Sequence, residues 1–446
     1  MTRRSNVLIG CLVWACAFSP VEVRAQERLP LTEAIAAVLT ANPDAVVARA
    51  ATQEAAQEPP QARAGYLPRL DFTQSWQRGN QPVFVFGSLL AQRQFAEADF
   101  ALGQLNTPAP LTNLRSALAV EQAVFDAGRT RATVRIATLS ASLAMAHERQ
   151  IRNDLQLAAT RAYGQVLRAG AGRRAVESAV AAAEENARTA EARRDVGAGT
   201  EADVLSMRVH AAEMRARLID AASGERIARA ELNRLMHTTL DREWILDEPA
   251  VVTRGLSDAN SFVELALRQR PEIEQATLRS GVSHALQQSA RSALLPHVVV
   301  QGGYEWNDGS RAGPAGSWIA GANLRVSLFS GGANVARVRQ ASFAVQRTEA
   351  EHARAEANIR LEVLTALEQV GAARARQDIG RAAVMQARES QRMIRDRYEA
   401  GIATANDAIR ATTAVLDAEA QRINALVDLF VAEAALQRAT GQEVHP

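Results

Sequence analysis

Apolar and polar residues alternate one by one in four short stretches of the chain and follow helical spacing over much of the rest. From Trp318 to Phe329, Trp318, Ala320, Ala322, Leu324, Val326 and Leu328 fall on one face of a strand, with Gly321, Asn323, Arg325 and Ser327 on the other. His297 to Trp306 sets Val298, Val300, Tyr304 and Trp306 against His297, Gln301 and Glu305. Earlier, Leu70, Phe72 and Trp76 oppose Asp71, Thr73 and Ser75, and the segment around Leu114 to Val124 carries Arg115 and Glu121 on its polar face. The pattern predicts strands over 69–78, 114–125, 297–306 and 318–329.

Long helices are predicted between and after these strands. No proline, the residue that breaks helices, occurs from Leu111 to Glu248 or from Ala315 to His445. Helices are expected over 126–196 and 333–400, with shorter returning helices over 201–238 and 404–440 after Gly197 and Gly401. Seventy-two residue steps separate Phe125 from Gly197 and Phe329 from Gly401, about 105 Å if helical. Ile409, Leu416, Ile423 and Phe430 stand seven apart with Leu426 between them, a seam that packs coiled-coil fashion. Ahead of each strand pair a further helix is expected, Glu33 to Arg63 capped by Thr32, and about Ser261 to Ser292 broken near Pro271.

The chain is duplicated. Pro43 and Leu67-Pro68 recur 228 residues later as Pro271 and Leu295-Pro296. Phe125-Asp126-Ala127-Gly128, Gly197 and Leu232 recur 204 residues later as Phe329-Ser330-Gly331-Gly332, Gly401 and Leu436. The change of offset puts 24 extra residues into the first copy between Trp76 and Phe125. The repeats are assigned to 26–240 and 261–446, with a connecting segment over 241–260.

Composition narrows the function. Roughly a fifth of the residues are alanine and only 4% are aromatic, so the apolar content suits close-packed helices better than a globular enzyme core. Every basic residue is arginine, which removes the lysine-dependent chemistries: P-loop phosphate binding, Schiff bases and Ser-x-x-Lys acylation. Residues 1–25 read as a secretory signal, with Arg3 and Arg4, an apolar run from Val7 to Phe18, and Val23-Arg24-Ala25 before the cleavage point. Lipidation of Cys16 is a rival reading disfavoured by the bulky Trp14. The exported chain then has 48 basic and 48 acidic side chains and no cysteine. Such a neutral chain lacks the basic face of a nucleic-acid binder.

No later apolar run is long enough for a transmembrane helix, which says nothing of a β-barrel. The alternating segments have the ten-residue length of a tilted membrane strand, with aromatics near their ends. A half-buried soluble sheet alternates in the same way. Four strands, however, are too few to close a barrel, so membrane strands here require several chains to share one. The seven histidines, at 147, 210, 237, 284, 297, 352 and 445, lack metal-ligand spacing, and Gly170-Ala171-Gly172 lacks the preceding strand of a dinucleotide loop. No catalytic, cofactor or metal site is expected. The segment around Gln81 to Pro110, with Val83-Phe84-Val85-Phe86 and Phe95, is too apolar for a free loop; folding over a barrel mouth and packing on a neighbour both remain open.

The duplication, the two Leu-Pro pairs, the Phe125–Gly128 and Phe329–Gly332 motifs and Arg397-Tyr398-Glu399-Ala400-Gly401 together resemble the TolC family of outer-membrane efflux proteins over essentially the whole exported chain. The resemblance implies a mainly α fold with a membrane β part. Three chains of four strands each would form a twelve-stranded barrel in the outer membrane, continued into the periplasm by a long α-helical coiled-coil barrel. It also implies a passive exit duct, without enzyme activity or cofactor, serving a periplasmic adaptor and an inner-membrane transporter in a tripartite efflux pump. A type I secretion system is the alternative within the family; a soluble periplasmic coiled-coil protein is the alternative outside it. Lipid would contact Trp318, Leu324, Val326 and Leu328, and the lumen Asn323 and Arg325. The turns at Gly197, Gly199 and Gly401 would form periplasmic tips where the adaptor docks. The family's gate acid falls on Asp203, its tyrosine partner on Tyr398 and its pore acid on Asp407; Arg410 and Ala403 depart from the family pattern.

Overall fold

The computed structural model describes residues 27–248, 258–309 and 313–442. The signal segment, Cys16 and positions 249–257 of the connecting segment lie outside these.

Strand β1 (Glu27–Leu29) leads into α1 (Leu31–Ala41), α2 (Pro43–Ala55) and α3 (Glu58–Arg63). One helix capped by Thr32 is therefore corrected to three, starting at Leu31 after Pro30. Asn42, extended ahead of Pro43, ends α1 and caps α2 by accepting the Asp44 N–H, and Pro59-Pro60 forces the second break. Strand β2 (Arg69–Gly79) follows, then α4 (Pro82–Ala91) and α5 (Leu102–Asn106), and β3 (Leu111–Phe125). Helix α6 (Arg129–Asp195) turns back as α7 (Glu201–Leu235). Strand β4 (Trp244–Leu246) precedes the second copy: α8 (Ala259–Gln269), α9 (Pro271–Ser292), β5 (His297–Asp308), β6 (Ala315–Arg325), α10 (Ala333–Glu399) and α11 (Ala405–Thr440). The two longest helices each have 67 residues, about 100 Å of rise, and each begins after a left-handed glycine, Gly128 or Gly332.

The four long strands form one antiparallel sheet in the order β2-β3-β5-β6. Its register aligns the alternation of all four strands. Phe72 faces Leu118, Leu118 faces Tyr304 and Tyr304 faces Trp318, an apolar row across the sheet. On the opposite face Arg115 pairs with Glu305 at 2.6 Å. In the single chain the apolar face is bare: Trp76 is 67% and Trp318 76% exposed. The outer edges of β2 and β6 have no strand partner among the described residues.

The last strand differs from expectation at its end. Strand β6 stops at Arg325, paired with His297 at the start of β5, so Val326 and Leu328 lie beyond it. Pro296, without an N–H, precedes β5, and the segment after Arg325 has no strand beside it to join. Both side chains are exposed, beyond the end of the paired strand to which they were assigned.

The helical core has several centres. The largest packs Leu31, Ile35 and Val38 against Leu155, Tyr163, Val166, Leu232 and Phe430. The Tyr163 hydroxyl lies 3.0 Å from the carbonyl oxygens of both Leu29 and Asp247 and accepts the Asp247 N–H. Burial pushes this phenol up to about 12. β1 and its parallel partner β4 are thereby fastened to α6. Alanine and glycine let helices meet closely: a Cβ added at Gly164 of α6 would stand 2.9 Å from Val427 of α11. Nearby, Arg270 is buried between Glu272 and Glu362, and Arg438 binds Asp154 and both of those glutamates, tying α6, α9, α10 and α11 together.

Candidate functional site: the helical tips and the two faces of the sheet

Each long helix turns at a glycine whose φ is positive, +75° at Gly197 and +77° at Gly401, a conformation favouring glycine. Gly199 has an added reason to be small, since a Cβ there would come within 3.3 Å of Arg193 and of the Arg194 backbone. The returning helices then begin with identical capping boxes. Thr200 Oγ1 accepts the Asp203 N–H at 3.1 Å, and Asp203 accepts from the Thr200 N–H and hydroxyl at 3.2 and 2.7 Å. Thr404 and Asp407 repeat this at 3.2, 3.0 and 2.7 Å. The duplication thus extends to individual hydrogen bonds.

The tips pack on each other through Ala187, Ala190, Val204, Met207, Tyr398, Ala405 and Ala408. Tyr398 is 4% exposed at the centre of this contact. Burial pushes its phenol above the ordinary value, the Arg193 guanidinium opposes the shift and the Asp203 charge adds to it. The Asp203 carboxylate hydrogen-bonds to Thr200 at its own helix start and reaches the Tyr398 phenol through its charge. Asp407 is held below the usual carboxylate range by the Thr404 N–H and hydroxyl, with a smaller contribution from Arg410 one turn along. Arg410 is exposed.

The residue that links the tips is Arg193, absent from the sites expected from sequence. Its guanidinium lies 5.1 Å from the centroid of the Tyr398 ring. Nη1 donates to the Tyr398 and Glu399 carbonyl oxygens at 2.5 and 3.0 Å, and Nη2 donates to the Ala198 carbonyl at 3.1 Å. One fork thus satisfies the C-terminal carbonyls of α10 and the turn of its own tip. The 204-residue offset carried a signal for it, since Arg193 corresponds to Arg397 in the motif read at the second tip. Arg397 is exposed, so the two copies use this position differently.

On the sheet, Trp318 and Leu324 lie on the apolar face with Leu70, Phe72, Trp76 and Val300, whereas Asn323 and Arg325 lie on the face of Arg115 and Glu305. Among the described residues no group of three or more histidine, cysteine, aspartate or glutamate side chains is placed to hold a metal.

Known proteins share this architecture. The family model described as "Outer membrane efflux protein" matches residues 34–237 and 262–442. The outer membrane efflux protein BepC of Brucella suis is 26% identical over 346 residues, covering 75% of this chain and 74% of BepC. The outer membrane protein VceC of Vibrio cholerae superposes with a TM-score of 0.78 at 21% identity, covering 92% of this chain and 96% of VceC. The CmeC outer membrane channel of Campylobacter jejuni gives 0.79 at 18% identity, covering 92% and 85%. Channels of the family are homotrimers that work with adaptor and inner-membrane transporter partners. With the family model matched along both copies and the helical tips and open-edged sheet in place, the chain belongs to the outer membrane efflux protein family of TolC-like channels, a passive channel of the outer membrane that extends into the periplasm.

Proposed function

We propose that three copies of this chain close a twelve-stranded barrel and a continuous helical tunnel, which receives cargo from an inner-membrane transporter and periplasmic adaptor and releases it outside. The observation that carries this reading is the four-stranded sheet with one predominantly apolar face and two open edges. A lone sheet of this kind leaves backbone donors and acceptors unpaired in hydrocarbon, and ring closure by identical copies satisfies them. In this reading the tips form the periplasmic gate. Arg193 and Tyr398 hold the two hairpins of one copy together, while Asp407 and Arg410 lie on the exposed start of α11, where neighbouring copies approach. Adaptor contacts near Gly197 and Gly401 release the closed state by offering compensating bonds to the same groups.

The test is native mass measurement of the detergent-extracted protein together with planar-bilayer recording. A trimer with low conductance, rising when a matching adaptor is added, supports the proposal. A stable monomer, or a trimer whose conductance ignores every adaptor of its own genome, overturns it.

A further inference from the structure

The extra segment of the first copy, α4 through α5, lies at the end of the sheet opposite the helices, because it joins β2 to β3 while the other ends of β3 and β6 lead into α6 and α10. It is fastened there by Gln92, which is 1% exposed. Gln92 Nε2 donates to the Thr112 carbonyl at 2.9 Å and to Asn113 Oδ1 at 3.0 Å, and Asn113 Nδ2 donates to Asn307 Oδ1 at 2.9 Å. Asn307 in turn donates to Glu305, the partner of Arg115. A side chain on Gly309 would collide with the Gln92 oxygen. Arg93 adds a bond to the Gly316 carbonyl at 2.9 Å.

Asn113 and Asn307 share the polar face with Arg115 and Glu305, opposite the row of Phe72, Tyr304 and Trp318. In a barrel with its apolar face toward lipid, the segment is therefore inside. Its own composition does not suit a wet lumen. From Pro82 to Asn106 the only charged residues are Arg93, Glu97 and Asp99. Phe86, Phe95 and Phe100 stack edge to face at 4.8 and 5.0 Å. Val83 and Leu102 nonetheless remain 79% and 77% exposed in the single chain. Exposed apolar surface of this size calls for a covering partner. Around a threefold axis, the groups facing a segment that projects into the lumen are the same segments of the other two copies.

We propose that the three copies of residues 82–106 meet inside the outer mouth of the barrel and form a second, apolar constriction, distinct from the periplasmic tips. Such a ring obstructs hydrated ions by dewetting and yields to apolar or amphipathic cargo. The proposal rests on the trimeric-barrel reading.

The exported chain has no cysteine if the leading segment is removed, so a single thiol reports on this meeting. Leu102→Cys, extracted as a trimer and treated with a short bismaleimide, is expected to give covalent dimers; Val83→Cys is the second site should the first disturb assembly. An intact trimer whose thiols are all modified yet which yields monomers alone at both positions overturns the inference. Absence of any trimer in the parent protein instead defeats the trimeric-barrel reading.

Discussion

Arg193, at the end of the first long helix, lies over the ring of Tyr398 at the end of the second and donates to that residue's own carbonyl oxygen. One side chain thereby joins the two copies at the point farthest from the sheet. Hydrogen bonds to charged groups contribute about 1.5–3 kcal/mol, and an exposed cation–π contact adds about 0.5–1 kcal/mol. Arg193→Ala is expected to speed amide exchange across residues 196–204 and 398–405 with the sheet unaffected. Arg193→Lys should recover only part of the protection, since an ammonium lacks the planar fork. Unchanged exchange at the tips in Arg193→Ala would remove this residue from the gate.

The α6–α11 crossing depends on the absence of a side chain. Gly164→Ala places a Cβ 2.9 Å from Val427 and is expected to cost about 1–3 kcal/mol by overpacking. Beyond the backbone of its own helical turns and its chain neighbours, Gly224 of α7 has no atom of the described residues within 4 Å of its Cβ position, and Gly224→Ala should stabilise by up to about 1 kcal/mol through helix propensity. Thermal unfolding of the two variants in detergent should shift in opposite directions; shifts of the same sign would contradict the packing at Gly164.

Depth in the membrane separates substitutions on the apolar face. Ala320 pairs with Gly302 midway along the sheet, whereas Leu324 pairs with Val298 near the helical end. Ala320→Arg is expected to cost about 2–4 kcal/mol and Leu324→Arg about 0–1 kcal/mol, with Asn323→Arg mild because it lies on the polar face with Glu305. Folding into vesicles under urea measures this order. Equal damage at Ala320 and Asn323 would mean a sheet buried on both faces.

His210 of α7 is 5% exposed, and its Nε2 has no hydrogen-bond partner among the described residues. Burial lowers its pKa below the ordinary value, with Glu213 opposing and Arg217 adding to the shift. The native state therefore prefers neutral imidazole, while the unfolded chain takes up a proton near about pH 6.5. Between that pH and the lower native pKa the unfolded state binds more protons, so this residue's contribution to stability falls as pH falls. His210→Gln should flatten the decline in thermal midpoint between about pH 7 and about pH 5.5. A decline of the same size in the variant would place the sensitive group elsewhere.

Periodicity and repetition made the long helices, the four strands and the tip glycines legible, because alternation, proline-free length and a left-handed turn are written in local residue types. The two threonine–aspartate boxes at Thr200 and Thr404 use residues only three apart, yet Asp203 and Asp407 were assigned from the sequence to the gate and pore, and the structure shows the caps they form. The single-helix expectation before β2 failed where Asn42-Pro43 and Pro59-Pro60 outweigh the apolar spacing. The excess length assigned to the last strand failed because pairing ends where the neighbouring strand does.

The chain's own sequence determined the element types, their repetition and which residues share a strand face, all consequences of short-range geometry with periods of about two or 3.6 residues. Only the tertiary structure decided what those elements meet. Arg193 reaches a carbonyl 205 residues away in sequence, and Gln92 buries the extra segment against the polar face of the sheet through Asn113 and, beyond it, Asn307. Such contacts depend on register and on helix-to-helix placement, which no local pattern encodes because many partners satisfy the same donor until packing leaves one within reach.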